Sequence, residues 1–479
     1  MANPNRRAPE LRLSENLEKF LSGSAAWDDQ PPLAQWTSSG ERTNTLTGAL
    51  ISMNDLKETT DCRRTGWNRL VVRGGVLRSL AVLALVQVAT EAMPRAGAAE
   101  GGPQNVVYVE SNAAAGNAIL AYNRQSDGSL TPLAGSPFPT GGAGVGFSTN
   151  LGPYDSDGNI ITNPAHTLLF AVNGGSDSIA VFQIASSGAL TPVDGSPFPS
   201  GGSNPCGLGL AGNVLCVVNK DEDPNHPGQS LPNYTSFRVN PKGKLIPIPN
   251  ATIYDENGSD PSQILIAPGG QLAFGADFLG GALRSFALDA NGRLKSRAIL
   301  PLPAAEFADT GAPPLPLGLA VHPTRPLLYV GFVTINRIGI YRYNASGSLN
   351  FIRSVPDSGK GVCWFLLNKS ATRMYTSNTT DPGVSVYDLT QNPAEPVEIQ
   401  KIVLNDAPGC NPGSYQIALD PTESFLHVVT QQFATTSTVE ANALHVLKVG
   451  SDGKVTEVPS SPMLLPVPNM TRPQGMVAF

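Results

Sequence analysis

From about residue 106 onward the chain repeats one pattern of apolar and polar positions. A run of five or six mostly apolar residues meets a short polar turn. An alternating strand follows, then a Gly-containing turn and a shorter strand, as in LLFAVN, GGSDS, IAVFQI, ASSG, ALTPV. Alternation with a period of two marks a half-buried β-strand, and a continuous apolar run bounded by turns marks a strand buried on both faces. Seven such runs begin near Val106, Leu168, Val214, Leu272, Leu327, Met374 and Phe425, at spacings of 46 to 62 residues. Each continues into a second strand: ILAYNR, IAVFQI, YTSFRV, LRSFAL, IGIYRY, VSVYDL and LHVLKV. The segment SLTPLAGSPFPTGG (Ser129 to Gly142) recurs 60 residues later as ALTPVDGSPFPSGG (Ala189 to Gly202), so the units are true internal repeats.

Every unit from the second onward is preceded by one more short strand: FSTNLG with an insertion, CGLGLA, QILIAP, LGLAVH, CWFLLN and YQIALD. An eighth copy, PQGMVAF, ends the chain. This surplus strand predicts an all-β, seven-bladed β-propeller in which the C-terminal strand becomes the innermost strand of the first blade. Closure of that kind leaves no free sheet edge, which keeps so β-rich a chain soluble and makes a monomer the expected state. A solenoid, the main rival, would carry atypical capping units and not a displaced terminal strand.

Composition agrees with this reading: 49 Gly and 42 Pro suit many short strands and tight turns, and 41% hydrophobic content supplies a core. A net charge of -6 without a long basic run in the repeats excludes nucleic acid as the main partner. Residues 100–479 are therefore expected to form the propeller. Ahead of it, Arg73 and Arg78 lead into LAVLALVQVA and the small-residue stretch AGAAEGG, the layout of a secretory signal peptide. The apolar core is about ten residues, short of the ~20 that span a bilayer, so cleavage near Ala99 is expected over a membrane anchor. Residues 1–70 are polar and aperiodic and read as a disordered or spurious extension. A secreted or periplasmic location follows, with membrane association only if residues 71–99 stay uncleaved.

Four cysteines lie in the exported part. Cys206 and Cys216 flank the turn Ala211-Gly212-Asn213, which predicts either a disulfide between facing strands or two buried free thiols. Cys363 with Cys410 would need neighbouring blades to bring them together.

In a four-stranded blade, the connection entering the inner strand and the connection between the second and third strands open on one face, the default ligand site. Glu110, Asp277, Lys220 and Arg472 are the charged residues expected there, as catalytic candidates. Gln263, Gln416, Gln474, Asn173, Asn378 and Trp364 are the expected substrate contacts. Asn173, Asn219 and Asn378 could equally satisfy turn backbone groups, as Asn commonly does. GLGLAG (Gly207 to Gly212) has dinucleotide-motif spacing, but a turn and the strand NVLCVV follow where a helix would have to begin. DSDGN (Asp155 to Asn159) starts like a calcium loop but lacks Gly and Glu at the required later positions, and the five histidines are too scattered for a zinc site. No cofactor and no metal is expected.

The seven-unit layout, strand pairs of the LYV…IGIYRY kind ending in NASGSL, SDGSL or ANGRL, and the block LAVHPTRPLLYVGF resemble the lactonase family of seven-bladed propellers over roughly Val106 to Phe479. That family includes bacterial 6-phosphogluconolactonase and the fungal carboxymuconate cyclases. The resemblance implies lactone hydrolysis at the channel mouth by Arg, His and Glu side chains, often in a Gly-Pro-Arg-His setting. The matching positions here read Asn-Pro-Cys, Asp-Pro-Ser-Gln, Leu-Pro-Leu-Gly, Ser-Tyr-Gln and Arg-Pro-Gln, without His. For lactone hydrolysis Glu110 or Asp277 would be the base, and Arg472 or Lys220, helped by Gln263, Gln416 and Gln474, would hold the negative charge. The competing expectation is a non-catalytic exported propeller binding a carbohydrate, a peptide or a surface partner, for which polar amides beside Trp364 are equally suited.

Overall fold

The computed structural model describes residues 104–146, 156–220, 231–310, 312–405, 412–432, 441–468 and 471–479. The expected extension and leader, residues 1–99, and Cys410 lie outside them. The described chain forms seven antiparallel sheets of four or five strands, each running outward in chain order. Blade 1 carries the exception that closes the ring. Its inner strand is Gln474–Ala478, which pairs with Val106–Glu110 in the register Val107↔Ala478, Val109↔Met476, Glu110↔Gln474. The expected seven-bladed propeller with C-terminal closure is thus the observed fold. Among the described residues no helix is long and apolar enough to cross a membrane.

The inner strands of blades 2 to 7 are Ile160–Thr162, Pro205–Ala211, Pro261–Ile266, Pro316–Val321, Val362–Leu367 and Pro412–Leu419. Five of these match the expected segments. In blade 2 the strand is Ile160–Thr162, and FSTNLG lies outside the described residues.

The apolar runs form the second strands, and their third residue packs between blades. Tyr108, Phe170, Cys216, Phe274, Tyr329, Tyr375 and His427 occupy this one place in blades 1 to 7, and all are buried between adjacent sheets. Where it is tyrosine, the hydroxyl donates to a carbonyl of the next blade: Tyr108 to Gly188 at 2.6 Å, Tyr329 to Pro393 at 2.8 Å and Tyr375 to Gly453 at 3.0 Å. A buried hydroxyl without such a partner would cost about 1–3 kcal/mol, so the side chain that fills the gap between blades also aligns them.

The near-copy SPFP has a comparable cause. In blades 1, 2, 3 and 7 the outer strand breaks and a short segment returns to pair with the third strand, and in all of these but blade 3 a serine stands at the break. At the break a serine hydroxyl accepts the third strand's free N–H: Ser136 from Ala121 at 2.9 Å, Ser196 from Val181 at 2.9 Å and Ser461 from Val446 at 3.0 Å. A backbone donor that the ladder leaves open is thereby satisfied.

Candidate functional site

At the face where the inner strands begin, six of the seven blades carry a register shift at or opposite the first residues of the inner strand. A bulge leaves backbone groups unpaired. The neighbouring blade supplies many of the partners. Asn159 donates to the Cys206 carbonyl at 2.7 Å, Ser262 to Leu317 at 3.2 Å, Thr379 to Ser414 at 2.9 Å and Gln431 to Pro473 at 2.8 Å. Gly318 makes the same approach without a side chain: a Cβ there would lie 1.8 Å from the Cys363 carbonyl oxygen. Much of the polar chemistry at this mouth therefore joins blades to one another.

The candidates fall into three groups. Asn173 and Asn378 belong to the lattice. Asn173 Oδ1 accepts from Thr140 at 2.7 Å and from Asn117 at 3.0 Å, and its amide donates to Ser178 at 3.2 Å. Asn378 donates to Ser385 at 2.9 Å. Both satisfy neighbours within and between blades.

In the second group the structure corrects the expectation of open, available groups. Lys220 is fully buried and its Nζ lies 2.7 Å from Asp260 Oδ1. An ammonium out of water needs such a partner, and the pairing commits it. Asp277 accepts the backbone N–H of Asp260 at 2.8 Å and of Gly280 at 3.0 Å, and its other oxygen lies 2.9 Å from Arg284, which also meets Asp255 at 3.0 Å. A carboxylate with both oxygens so engaged is not a free base. Trp364 is buried in an apolar cluster with Phe278, Leu317, Val333 and Tyr415, with no ring face open to a sugar.

For Cys206 and Cys216 the disulfide is corrected to the other alternative: both thiols are free and buried. The hairpin turns on Gly212 and Asn213 alone, with Ala211 opposite Val214, so Cys216 faces Gly209. Cys206 lies near the far end of the pair, and Cys216 fills the place between blades that tyrosine or phenylalanine takes elsewhere.

The third group lies on or next to the strand that closes the ring. Glu110, at the end of the second strand of blade 1, stands opposite Gln474 on the closing strand. Its Oε1 accepts from Asn117, and Oε2 is buried with no hydrogen-bond partner. Burial raises the Glu110 pKa well above the usual carboxylic value, against the lowering effect of Asn117. Arg472 is half-buried two residues before Gln474, and its carbonyl accepts from Asn112 at 3.0 Å. Gln416, on the inner strand of blade 7, donates to the Ser156 carbonyl at 2.6 Å.

Ser156–Asn159 belongs to the DSDGN segment that starts like a calcium loop. It is a brace inside the channel. Besides the bond from Gln416, Asp157 donates its N–H to the Ser262 carbonyl of blade 4 at 3.3 Å, and the Gly158 carbonyl accepts from Leu208 of blade 3 at 3.0 Å. Gln263 joins the brace to blade 5: its amide donates to Asp157 Oδ2 at 3.3 Å and its carbonyl accepts the Leu319 N–H at 2.8 Å.

A hydroxyl, imidazole and carboxylate also line up in blade 7. Thr430 Oγ1 is 3.2 Å from His445 Nε2, and His445 Nδ1 is 2.7 Å from Glu457 Oε1, which accepts from Ser461 at 2.6 Å. The order is that of a nucleophilic triad. Thr430 and His445 are fully buried, however, and blade 6 holds a counterpart in which Asp357 accepts from Thr376, Ser385 and Tyr387 at 3.2, 3.0 and 2.8 Å. In both places a buried carboxylate gathers donors from neighbouring strands and so ties the fold together. Among the described residues no three of His, Cys, Asp and Glu gather as a metal site would require.

No protein-family model matches the sequence, and no curated protein matches it. Solved structures do. A candidate 6-phosphogluconolactonase from Bacteroides fragilis aligns with a TM-score of 0.57 at 15% identity, over 78% of this chain and 97% of its own. One from Bacteroides uniformis gives 0.57 at 14%, over 78% and 100%. A periplasmic gluconolactonase from Pseudomonas aeruginosa gives 0.56 at 15%, over 76% and 100%. The chain thus shares the fold of the lactonase-like seven-bladed propellers, as the sequence resemblance implied.

Proposed function

We propose that the propeller is an exported hydrolase of the lactonase type, acting on a small sugar-derived or carboxylated lactone at the mouth where the inner strands begin. The observation that carries this reading is Glu110, a buried carboxyl with a raised pKa and one oxygen free of partners, beside the closing strand that carries Arg472 and Gln474. Raised carboxyl pKa values of this kind suit a group that takes a proton from water and returns it to a leaving oxygen near neutral pH. Water adds to the lactone carbonyl carbon, the ring C–O bond breaks, and the proton lost by water passes through Glu110 to the ring oxygen. Arg472 faces the oxyanion or a substrate carboxylate. Export rests on the leader-like segment at residues 71–99, and the Pseudomonas aeruginosa neighbour is itself a periplasmic protein.

The test is hydrolysis of sugar, aldonic and aromatic lactones by protein beginning at Glu100, alongside folded Glu110→Gln and Arg472→Ala variants. Turnover lost in both supports the reading. Absence of turnover from the folded parent favours the second reading, a propeller that binds a carbohydrate or peptide without catalysis. The internal commitments of Lys220 and Asp277 support that alternative, because they remove two groups from the catalytic list.

A further inference from the structure

The other end of the channel, where the inner strands finish, holds a cavity of about 330 Å³ between blades 4, 5 and 6. Its walls are apolar: Leu265, Leu319, Val321, Phe365 and Leu367. Asp157 and Gln263 also line it. The channel brace places Asp157 near the level where the inner strands begin, at the inner end of this space.

Asp157 is only half-buried, and its hydrogen bonds are the neighbouring Gly158 N–H at 2.8 Å and the Gln263 amide at 3.3 Å. Among the described residues no cation pairs with it. Lys369, the cation at the rim, gives its ammonium to the Pro421 carbonyl and lines the far end of the cavity. A carboxylate in an apolar recess without a counter-ion is held in an unfavourable state that a cation entering from solvent would relieve. Burial pushes the Asp157 carboxyl up to about 6, with the Gly158 N–H working against the shift, so it is largely ionised at neutral pH. The volume lies at the small end of ligand sites, which limits the occupant to a compact molecule.

We propose that this cavity binds a small primary amine with an apolar body, the ammonium held by Asp157 and the body against Leu265, Val321, Phe365 and Leu367. The cavity is lined by neither Glu110 nor Arg472, so the inference does not depend on the hydrolase reading.

The experiment compares 2-phenylethylamine with its neutral isostere 2-phenylethanol on the whole protein by isothermal titration calorimetry at pH 7.5. The expected result is amine binding at least tenfold tighter than alcohol binding. Asp157→Asn should remove the preference while leaving the far-ultraviolet circular dichroism unchanged. A second variant, Val321→Phe, narrows the walls without touching the brace and should weaken both ligands together. Equal affinity for amine and alcohol in the parent protein would overturn the proposal, as would full amine affinity in folded Asp157→Asn. So would no heat of binding at 10-millimolar amine, whatever the fate of either variant.

Discussion

Lys220 and Asp260 form an ion pair at 2.7 Å with neither side chain reached by solvent, joining the end of the second strand of blade 3 to the start of blade 4. The pair fixes two blades by charge, as Arg124 and Asp420 do between blades 1 and 7. Removing one partner leaves a buried charge without compensation, which typically costs 3–5 kcal/mol. Lys220→Met should therefore lower stability by about 4 kcal/mol. Lys220→Met combined with Asp260→Leu should lose less than the sum of the two single changes. Urea unfolding of the four proteins checks both statements, and additive losses would show that the two side chains do not act as a pair.

His427 gives the fold a dependence on pH. It fills the place between blades that Tyr108, Tyr329 and Tyr375 fill elsewhere, and burial, together with the nearby Arg124 cation, lowers its pKa from 6.5 to about 4. Between those values the unfolded chain takes up a proton that the folded chain refuses. Stability from this group is therefore complete above about pH 6.5 and is lost as pH falls toward 4. From pH 7.5 to pH 5 the loss is roughly 2 kcal/mol, at about 1.4 kcal/mol per unit below 6.5. Asp255, which burial pushes up to about 7, works in the opposite direction over part of the same range, so total stability is a poor guide. The difference between the parent and His427→Gln isolates the histidine: it should shift by about 2 kcal/mol against the parent as pH is lowered. A difference independent of pH would mean that His427 is not held neutral.

Gly318 brings blade 5 close against the backbone of blade 6 at the mouth. A methyl group 1.8 Å from the Cys363 carbonyl cannot be accommodated by a side-chain rotation, because the obstacle is backbone. Gly318→Ala should force the two inner strands apart and cost on the order of 3 kcal/mol, at the upper end for overpacking. Thermal melting checks this. A matched Gly212→Ala change, at a turn with open space around the missing Cβ but a φ of +59°, should cost about 1 kcal/mol through backbone strain alone.

Why the architecture was legible and the site was not follows from these residues. The period of two, the near-copy at Ser129 and Ala189, and the surplus strand at Gln474 are local patterns, and each maps directly onto a strand or onto ring closure. The partner of Lys220 is 40 residues away, and nothing local separates a lysine that meets substrate from one that meets Asp260. A Cys206–Cys216 disulfide would need a hairpin centred on Ala211, but the turn is centred between Gly212 and Asn213, which places Cys216 opposite Gly209. The brace at Ser156–Asn159 was hidden because its bonds go to blades 3, 4 and 7, far along the chain.

Thr430, His445 and Glu457 offer the sharpest separation of architecture from catalysis. Burial works against the Glu457 carboxylate, but hydrogen bonds from His445 and Ser461 outweigh it and hold its pKa below the usual value. A carboxylate stabilised in this way contributes stability above its unfolded pKa and loses it as pH falls through the lower folded one. If the three side chains serve the blade, Thr430→Val leaves the His445 Nε2 contact unmade and should cost about 1–3 kcal/mol, with turnover per folded molecule unchanged on any lactone that the parent hydrolyses. If Thr430 were a nucleophile, the same variant would fold and lose at least a thousandfold in turnover, and the parent would form an acyl adduct at Thr430 visible by mass spectrometry. The full burial of both Thr430 and His445, and the matching network on Asp357 in blade 6, favour the first outcome.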